Sequence, residues 1–288
     1  MTRIIGSLAE IAPDYDVLFC DLWGCVHNGI SVYPAAIAAL QDFRQGGGQV
    51  CLMTNAPRPA TQVAHSFDRL GVPDDAWDVI VTSGDAAQDA LFSGAVGRRV
   101  WHLGPAKDDG FFDPPAEWKN APPIERVGLD QAQGVVCTGP FHDETETPED
   151  YRSRLMIARE MGLRLLCVNP DIVVDLGNRR IYCAGAIAEF YQQLGGESLY
   201  FGKPHPPIYD LARRRLELKD GARILAIGDG IGTDIAGALG EGIDAVFITG
   251  GLATEHMGDD VENPDQARLN DWVRQRMVFP TYAMGRLR

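Results

Sequence analysis

No apolar run in this sequence approaches the roughly 18 residues that a membrane-spanning helix needs, so no membrane span is expected. Positive charge is also scarce. There are 26 Lys and Arg against 40 Asp and Glu, a formal charge of −14. Holding a nucleic-acid backbone takes clustered cations, which argues against a nucleic-acid partner but not against one basic pocket for a small anion. The N-terminus, MTRIIGSLAEIAPDYD, has no long apolar stretch followed by a cleavage site. No signal peptide is therefore expected, and a cytoplasmic location follows as an expectation. No CxxC pair occurs. The six cysteines are Cys20, Cys25, Cys51, Cys137, Cys167 and Cys183, several of them in or beside apolar strand-like runs. They read as reduced core residues, not as zinc ligands or disulfides. Three motifs are missing as well. Without G-x-S-x-G there is no nucleophile elbow. Without G-x-x-x-x-G-K-[ST] there is no P-loop. The glycine-rich IGDGIGTDIAG has Gly228 and Gly230 in place for a dinucleotide fingerprint, but Thr233 stands where the third glycine belongs.

What is present is a 288-residue chain, 45% hydrophobic, with ample material for a buried core. Short apolar runs alternate with helical patterns. DVLFCDLWG reads as a strand ending near Asp21, and YPAAIAALQDFRQGGG as a helix opened by Pro34 and closed by glycines. QVCLMTNAPR is a strand ending at Thr54, PATQVAHSFDRLGVP a helix, and WDVIVTSGDAAQDAL a strand followed by a helix. This rhythm predicts an α/β fold with a doubly wound parallel sheet, Rossmann-like in layout.

From about residue 99 to 182 the pattern changes. RRVWHLGP, GVVCTGP and RLLCVNPD look like strands joined by irregular Pro- and Asp-rich segments. That stretch is read as a smaller inserted α/β domain, with residues 1–98 and 183–288 forming the core. The rhythm then resumes in CAGAIAEFYQQLGG, SLYFGKP, PPIYDLARRRLEL, RILAIGDGIGTDIAGALGEG and IDAVFITGG, and the C-terminus reads as a helix plus tail.

In an open parallel sheet, ligands bind outside the carboxyl ends of the strands. Four such ends carry suitable residues: Asp21; Thr54 with Asn55; Lys203; and Asp229 with Asp234 in GDGIGTD. A carboxylate can attack phosphorus and form an aspartyl-phosphate. The phosphoryl group repels an anionic nucleophile, so such a site needs positive charge. A magnesium ion held by few carboxylates would supply it, shared by Asp21 and Asp229, with Asp234 ordering a coordinating water. Lys203 adds charge beside Asp21, and Thr54 offers a hydroxyl and an N–H for phosphate oxygens.

The chain resembles hydrolases of the haloacid dehalogenase superfamily, class IIA, the group of nucleotide, p-nitrophenyl phosphate and pyridoxal phosphate phosphatases. FCDLWGCVHNG resembles the first motif of that family, LMTNAPR the second, FGKPHPPIY the third and IGDGIGTDI the fourth. VTSGDAA and CAGAIAEF resemble its flanking sequence, so the likeness covers nearly the whole chain. It implies a cap inserted between the second and third motifs, here 99–182. It also implies roles. Asp21 would be nucleophile and magnesium ligand, and the carbonyl of Trp23 a second ligand. Thr54 and Asn55 would bind the phosphoryl group, Lys203 would stabilise Asp21 and that group, Asp229 would ligate magnesium and Asp234 support it. The implied partner is a small phosphorylated metabolite, with a homodimer favoured by resemblance alone.

One position departs. The first motif of the family is usually DxD, whose second aspartate protonates the leaving group and then activates water. Here it is Trp23, and an indole has one N–H donor and no useful pKa. Its flat face is expected to line the pocket. The proton could come from His27 in the same loop, or from His142, Asp143 or Glu144 in FHDETE. His102 and His205 read as structural or exposed. Alternatively, the chain binds a phosphorylated metabolite and turns it over slowly or not at all.

Overall fold

The structure, a computed structural model, describes residues 2–176 and 179–288. The first segment runs β1 (Arg3–Ile4), β2 (Val17–Cys20), α1 (Pro34–Gln45), β3 (Gln49–Thr54), α2 (Ala60–His65), α3 (Phe67–Leu70), β4 (Val79–Thr82) and α4 (Ser83–Phe92). The middle carries β5 (Arg99–Leu103), β6 (Glu125–Arg126), β7 (Gly134–Cys137), α5 (Arg152–Glu160), β8 (Arg164–Cys167), β9 (Val173–Leu176), β10 (Arg179–Tyr182), α6 (Ala184–Gln193) and β11 (Glu197–Tyr200). The last segment holds α7 (Pro206–Arg215), β12 (Ile224–Gly228), α8 (Ala236–Gly240), β13 (Asp244–Ile248), α9 (Gln266–Arg276) and β14 (Tyr282–Met284). Among the described residues, no helix is long and apolar enough to cross a membrane.

The fold is α/β, as expected. A seven-stranded sheet has the order β1-β14-β13-β12-β2-β3-β4, and every pairing in it is parallel. Strands covered on both faces read as continuous apolar runs, and all four residues of β2 are buried. Helix α1 begins at Pro34, whose missing N–H costs nothing at a helix start. It buries Ala36, Ile37, Leu40 and Phe43 against one face of the sheet, in the same cluster as Leu18 and Leu52. The other face packs Phe19, Met53 and Phe247 with Ile208, Tyr209 and Trp272. The strand order reverses between β2 and β12, which creates a crevice at their carboxyl ends.

The inserted unit is larger than the sequence pattern suggested. Its five-stranded parallel sheet has the order β11-β8-β7-β5-β6, so it reaches Tyr200 and not residue 182. The reason is packing. Strand β11 pairs with β8, Leu199 opposite Leu166, and α6 buries Ala184, Ile187, Ala188 and Tyr191 against Leu155 and Leu165. The expected tail also proves to be structured: β14 pairs with β1 on one side and β13 on the other. Three residues are too few to show a period in sequence.

Candidate functional site

The β2–β12 ladder runs one residue past β2. Asp21 N–H donates to the Ile227 carbonyl at 2.8 Å, which fixes Asp21 at the mouth of the crevice. Across the switch point, Asp229 follows β12, and its Oδ2 accepts the Leu252 N–H at 2.9 Å. Gly24 and Gly251 close on this carboxylate from two loops. A methyl added at Gly24 would lie 2.1 Å from Asp229 Oδ2, and one at Gly251 2.0 Å from it. Gly24 also has φ +75°, a left-handed conformation that favours glycine. Asp234 stands on a single π turn, Ile231–Ile235, where its Oδ2 accepts the Gly230 N–H at 3.0 Å. Such turns often sit at functional sites.

Lys203 lies between β11 and α7 and enters the crevice from the far side. Its ammonium has three donors, and each is used: on Asp21 Oδ1 at 2.5 Å, Asp234 Oδ1 at 2.6 Å and the Met53 carbonyl at 3.0 Å. Thr54 ends β3, and its hydroxyl oxygen accepts the Ala56 N–H at 3.2 Å. These groups share a cavity of about 280 Å³ with Trp23, Asn28, Tyr33, Arg286 and the inserted unit's Asp171 and Asp175.

The electrostatics are strained by an excess of negative charge. Burial pushes the Asp21 carboxyl up to about 8; the Lys203 ammonium pulls it down and Asp234 pushes it up. Burial likewise raises Asp229 well above the carboxylate range, reinforced by Asp21 and Asp234. For Lys203, burial disfavours the charge, but Asp21, Asp234 and Asp171 outweigh it and hold the ammonium well above its usual pKa. One lysine does not balance these carboxylates, so the crevice suits a further cation. The donor set fits a hard one: Asp21 and Asp229 place carboxylate oxygens within 4.8 Å of each other. Cys25 Sγ falls in the same group, which its sequence context did not reveal. Burial, then Asp229, pushes this thiol far up, so it stays protonated.

Some expected roles change with the geometry. The Asn55 side chain does not reach the cavity. Its Oδ1 accepts the Lys203 N–H at 2.8 Å, and its Nδ2 donates to the Lys203 carbonyl at 3.0 Å and to Asp171 Oδ1 at 2.8 Å. It positions the lysine loop and ties the core to the inserted unit. The FHDETE residues are also elsewhere: Asp143 pairs with Lys107 at 2.5 Å and Glu144 with Arg179 at 3.2 Å, and neither they nor His142 line the cavity. His102 is tied to Thr138 and His205 is stacked on Tyr200.

Trp23 does line the cavity, half-buried, with its ring edge-on to His27 at 5.3 Å. His27 is buried beneath it, and its Nδ1 accepts the Gly29 N–H at 3.0 Å. Burial lowers its pKa to about 4, which favours the neutral ring at pH 7. The folded pKa lies below the ordinary value of 6.5, so the stability linked to neutral His27 is present above that pH and is lost as pH falls toward 4. Between pH 7 and pH 5 the loss is about 2 kcal/mol. Urea titrations at both values should show a loss about 2 kcal/mol larger in the wild type than in His27→Gln, because His102, also lowered to about 4, titrates in both; equal losses in both would rule out this source.

Asp171, Tyr33 and Arg286 were not anticipated. Asp171 follows β8 and Arg286 follows β14, so both are strand-end residues whose sheets had to be known first. Burial raises Asp171 to about 6, against the pull of Lys203 and the Asn55 hydrogen bond.

Comparison with known proteins places these features in a wider group. A family model described as haloacid dehalogenase-like hydrolase matches residues 18–113, and a second, HAD-hydrolase-like, matches 200–272. A hydrolase of the haloacid dehalogenase-like family from Brucella suis is 41% identical, with 98% of this chain and 99% of that one covered and a TM-score of 0.84. A glycerol phosphate phosphatase from Mycobacterium tuberculosis, solved with magnesium, has the same fold at 24% identity. Its TM-score is 0.66, with 95% of this chain and 76% of that one covered. A dihydroxyacetone phosphatase from Corynebacterium glutamicum is 26% identical over 95 residues, a match spanning 33% of this chain and 34% of that protein.

Proposed function

This chain belongs to the haloacid dehalogenase-like hydrolase family, and from that premise we propose that it is a phosphohydrolase acting on a small phosphomonoester through an aspartyl-phosphate on Asp21. The observation that carries the reading is the junction of Asp21, Asp229, Asp234 and Lys203 in one small cavity at the switch point. The Asp21 carboxylate attacks phosphorus, the P–O ester bond breaks, and the departing alkoxide takes its proton from solvent water. Lys203 holds Asp21 in line and offsets the charge on the transferring group. Thr54 receives a phosphoryl oxygen at the end of β3. Asn55 keeps Lys203 in place. Water then attacks the aspartyl-phosphate and releases inorganic phosphate.

Asp21, the Trp23 carbonyl and Asp229 would hold a magnesium ion, with Asp234 close by. When bound, it supplies the positive charge that brings an anionic nucleophile and a phosphate ester together. The relative solved with magnesium supports this choice. The relatives described as glycerol phosphate and dihydroxyacetone phosphatases support a small substrate. A second reading, a slow or inert binder of a phosphorylated metabolite, draws on Trp23, which lines the cavity and stands where the resemblance to the family implies a proton-transfer group.

Assay of p-nitrophenyl phosphate, glycerol phosphate and dihydroxyacetone phosphate decides between them. Phosphate release is expected with magnesium, and a chelator should lower it roughly 10²-fold or more. Binding of these esters without release above background on any of them would favour the inert binder.

A further inference from the structure

We infer that Arg286 and Tyr33 form a recognition site for a second anionic group, a carboxylate or a phosphate, on the alcohol part of the substrate; this rests on the phosphohydrolase reading above. Among the described residues lining the cavity, Lys203 and Arg286 are the cations. Lys203 has no donor left for a ligand: Asp21, Asp234 and the Met53 carbonyl take all three. Arg286 is in the opposite condition. Its guanidinium donates no hydrogen bond among the described residues. Its nearest acid, Glu262, lies 3.7 Å away and is also held by Arg288, through side chain and backbone.

The fold places this arginine deliberately close to the chemistry. Strand β14 ends beside β13, and Gly250 N–H donates to the Gly285 carbonyl at 2.7 Å, so Arg286 emerges next to the Gly250–Leu252 loop that holds Asp229. The guanidinium lies over the Tyr33 ring at 5.0 Å, which restricts its plane and lowers the entropy lost on binding. An arginine fork presented in this way matches the two oxygens of a carboxylate or phosphate. Of the acids on the inserted unit's side, Asp175 is neutralised by Arg180 at 2.8 and 3.0 Å, and Asp171 has its Oδ1 on Asn55 and its charge opposed by Lys203. With the phosphoryl group at Asp21, a cavity of about 280 Å³ leaves space for an alcohol of a few carbons between the two sites.

Glycerol 3-phosphate and 3-phosphoglycerate test the inference, because they differ chiefly by one carboxylate. Glycerol 1,3-bisphosphate supplies a phosphate as the second anion, and p-nitrophenyl phosphate supplies none. The wild type should favour 3-phosphoglycerate or the bisphosphate over glycerol 3-phosphate in kcat/KM by roughly 10-fold or more. Arg286→Gln should erase that preference through KM, and Arg286→Lys should restore part of it. The preferred compound tells carboxylate from phosphate. An unchanged preference in Arg286→Gln, no preference in the wild type, or an equal loss on p-nitrophenyl phosphate would overturn the inference; the last would mean that Arg286 serves the phosphoryl group. Calorimetric binding of the same compounds to Asp21→Asn protein, with and without Arg286→Gln, reads the same difference without turnover. Failure of the wild type to hydrolyse any ester, with that binding difference intact, counts against the phosphohydrolase reading and not against this one.

Discussion

Asp21→Asn is expected to lower phosphate release by about 10⁴-fold or more, the scale seen when a nucleophile is removed from a site whose groups act as a unit. The amide keeps the shape of the carboxylate but has no anionic oxygen to attack phosphorus. Stability should move the other way, or not at all. In the metal-free protein, burial and Asp234 push the Asp21 carboxyl up to about 8, so the folded state disfavours its charge near neutral pH. A neutral side chain there removes one member of a crowded acidic cluster, while Lys203 keeps Asp234 as partner. Loss of activity with an unchanged or higher melting temperature therefore separates a chemical role from a structural one. Loss of both together would indicate that Asp21 matters chiefly for folding.

Trp23→Asp is expected to raise the rate on esters with poor leaving groups by roughly 10²-fold, the lower end of what a positioned acid or base supplies. That corresponds to about 3 kcal/mol of barrier. The gain should be larger for glycerol 3-phosphate than for p-nitrophenyl phosphate, whose phenolate needs less help in leaving. It comes with a cost. Trp23 packs against the core and meets His27 edge-on at 5.3 Å, so its removal opens a gap and adds another acid beside Asp21 and Asp229. Magnesium should therefore be saturating, and the melting temperature should be measured in parallel. Trp23→Phe keeps much of the packing without an acid and should show no gain. A rise in Trp23→Phe equal to that in Trp23→Asp would mean that the indole obstructs the cavity, and that no missing acid limits the reaction.

The residues that could be read from sequence are those whose meaning is local. Asp21, Thr54, Asp229 and Asp234 each follow a run apolar enough to be a buried parallel strand, and the chemistry of such sheets gathers at those ends. What could not be read depends on pairings between distant segments. Strand β11 joins β8 of the inserted sheet, not the core sheet, and nothing in SLYFGKP specifies that partner. Arg286 and Asp171 reach the cavity only because β14 and β8 end where they do. Asn55 follows directly on Thr54 at the end of β3. Its neighbour Thr54 lines the cavity, while its own amide is turned to Lys203 and Asp171. His27 is a polar residue in a glycine-containing loop, yet it is buried beside Trp23.

Without an acid–base side chain at Trp23, attack of water on the aspartyl-phosphate should be slow, and the covalent species should accumulate during turnover. The most direct measurement is mass spectrometry of the protein after acid quenching in the presence of magnesium and p-nitrophenyl phosphate. The expected result is one phosphoryl group on the peptide that contains Asp21, lost on treatment with hydroxylamine and absent from Asp21→Asn. Steady phosphate release with the phosphoryl group on another residue, or undiminished release by Asp21→Asn, would contradict the assignment of Asp21 as nucleophile.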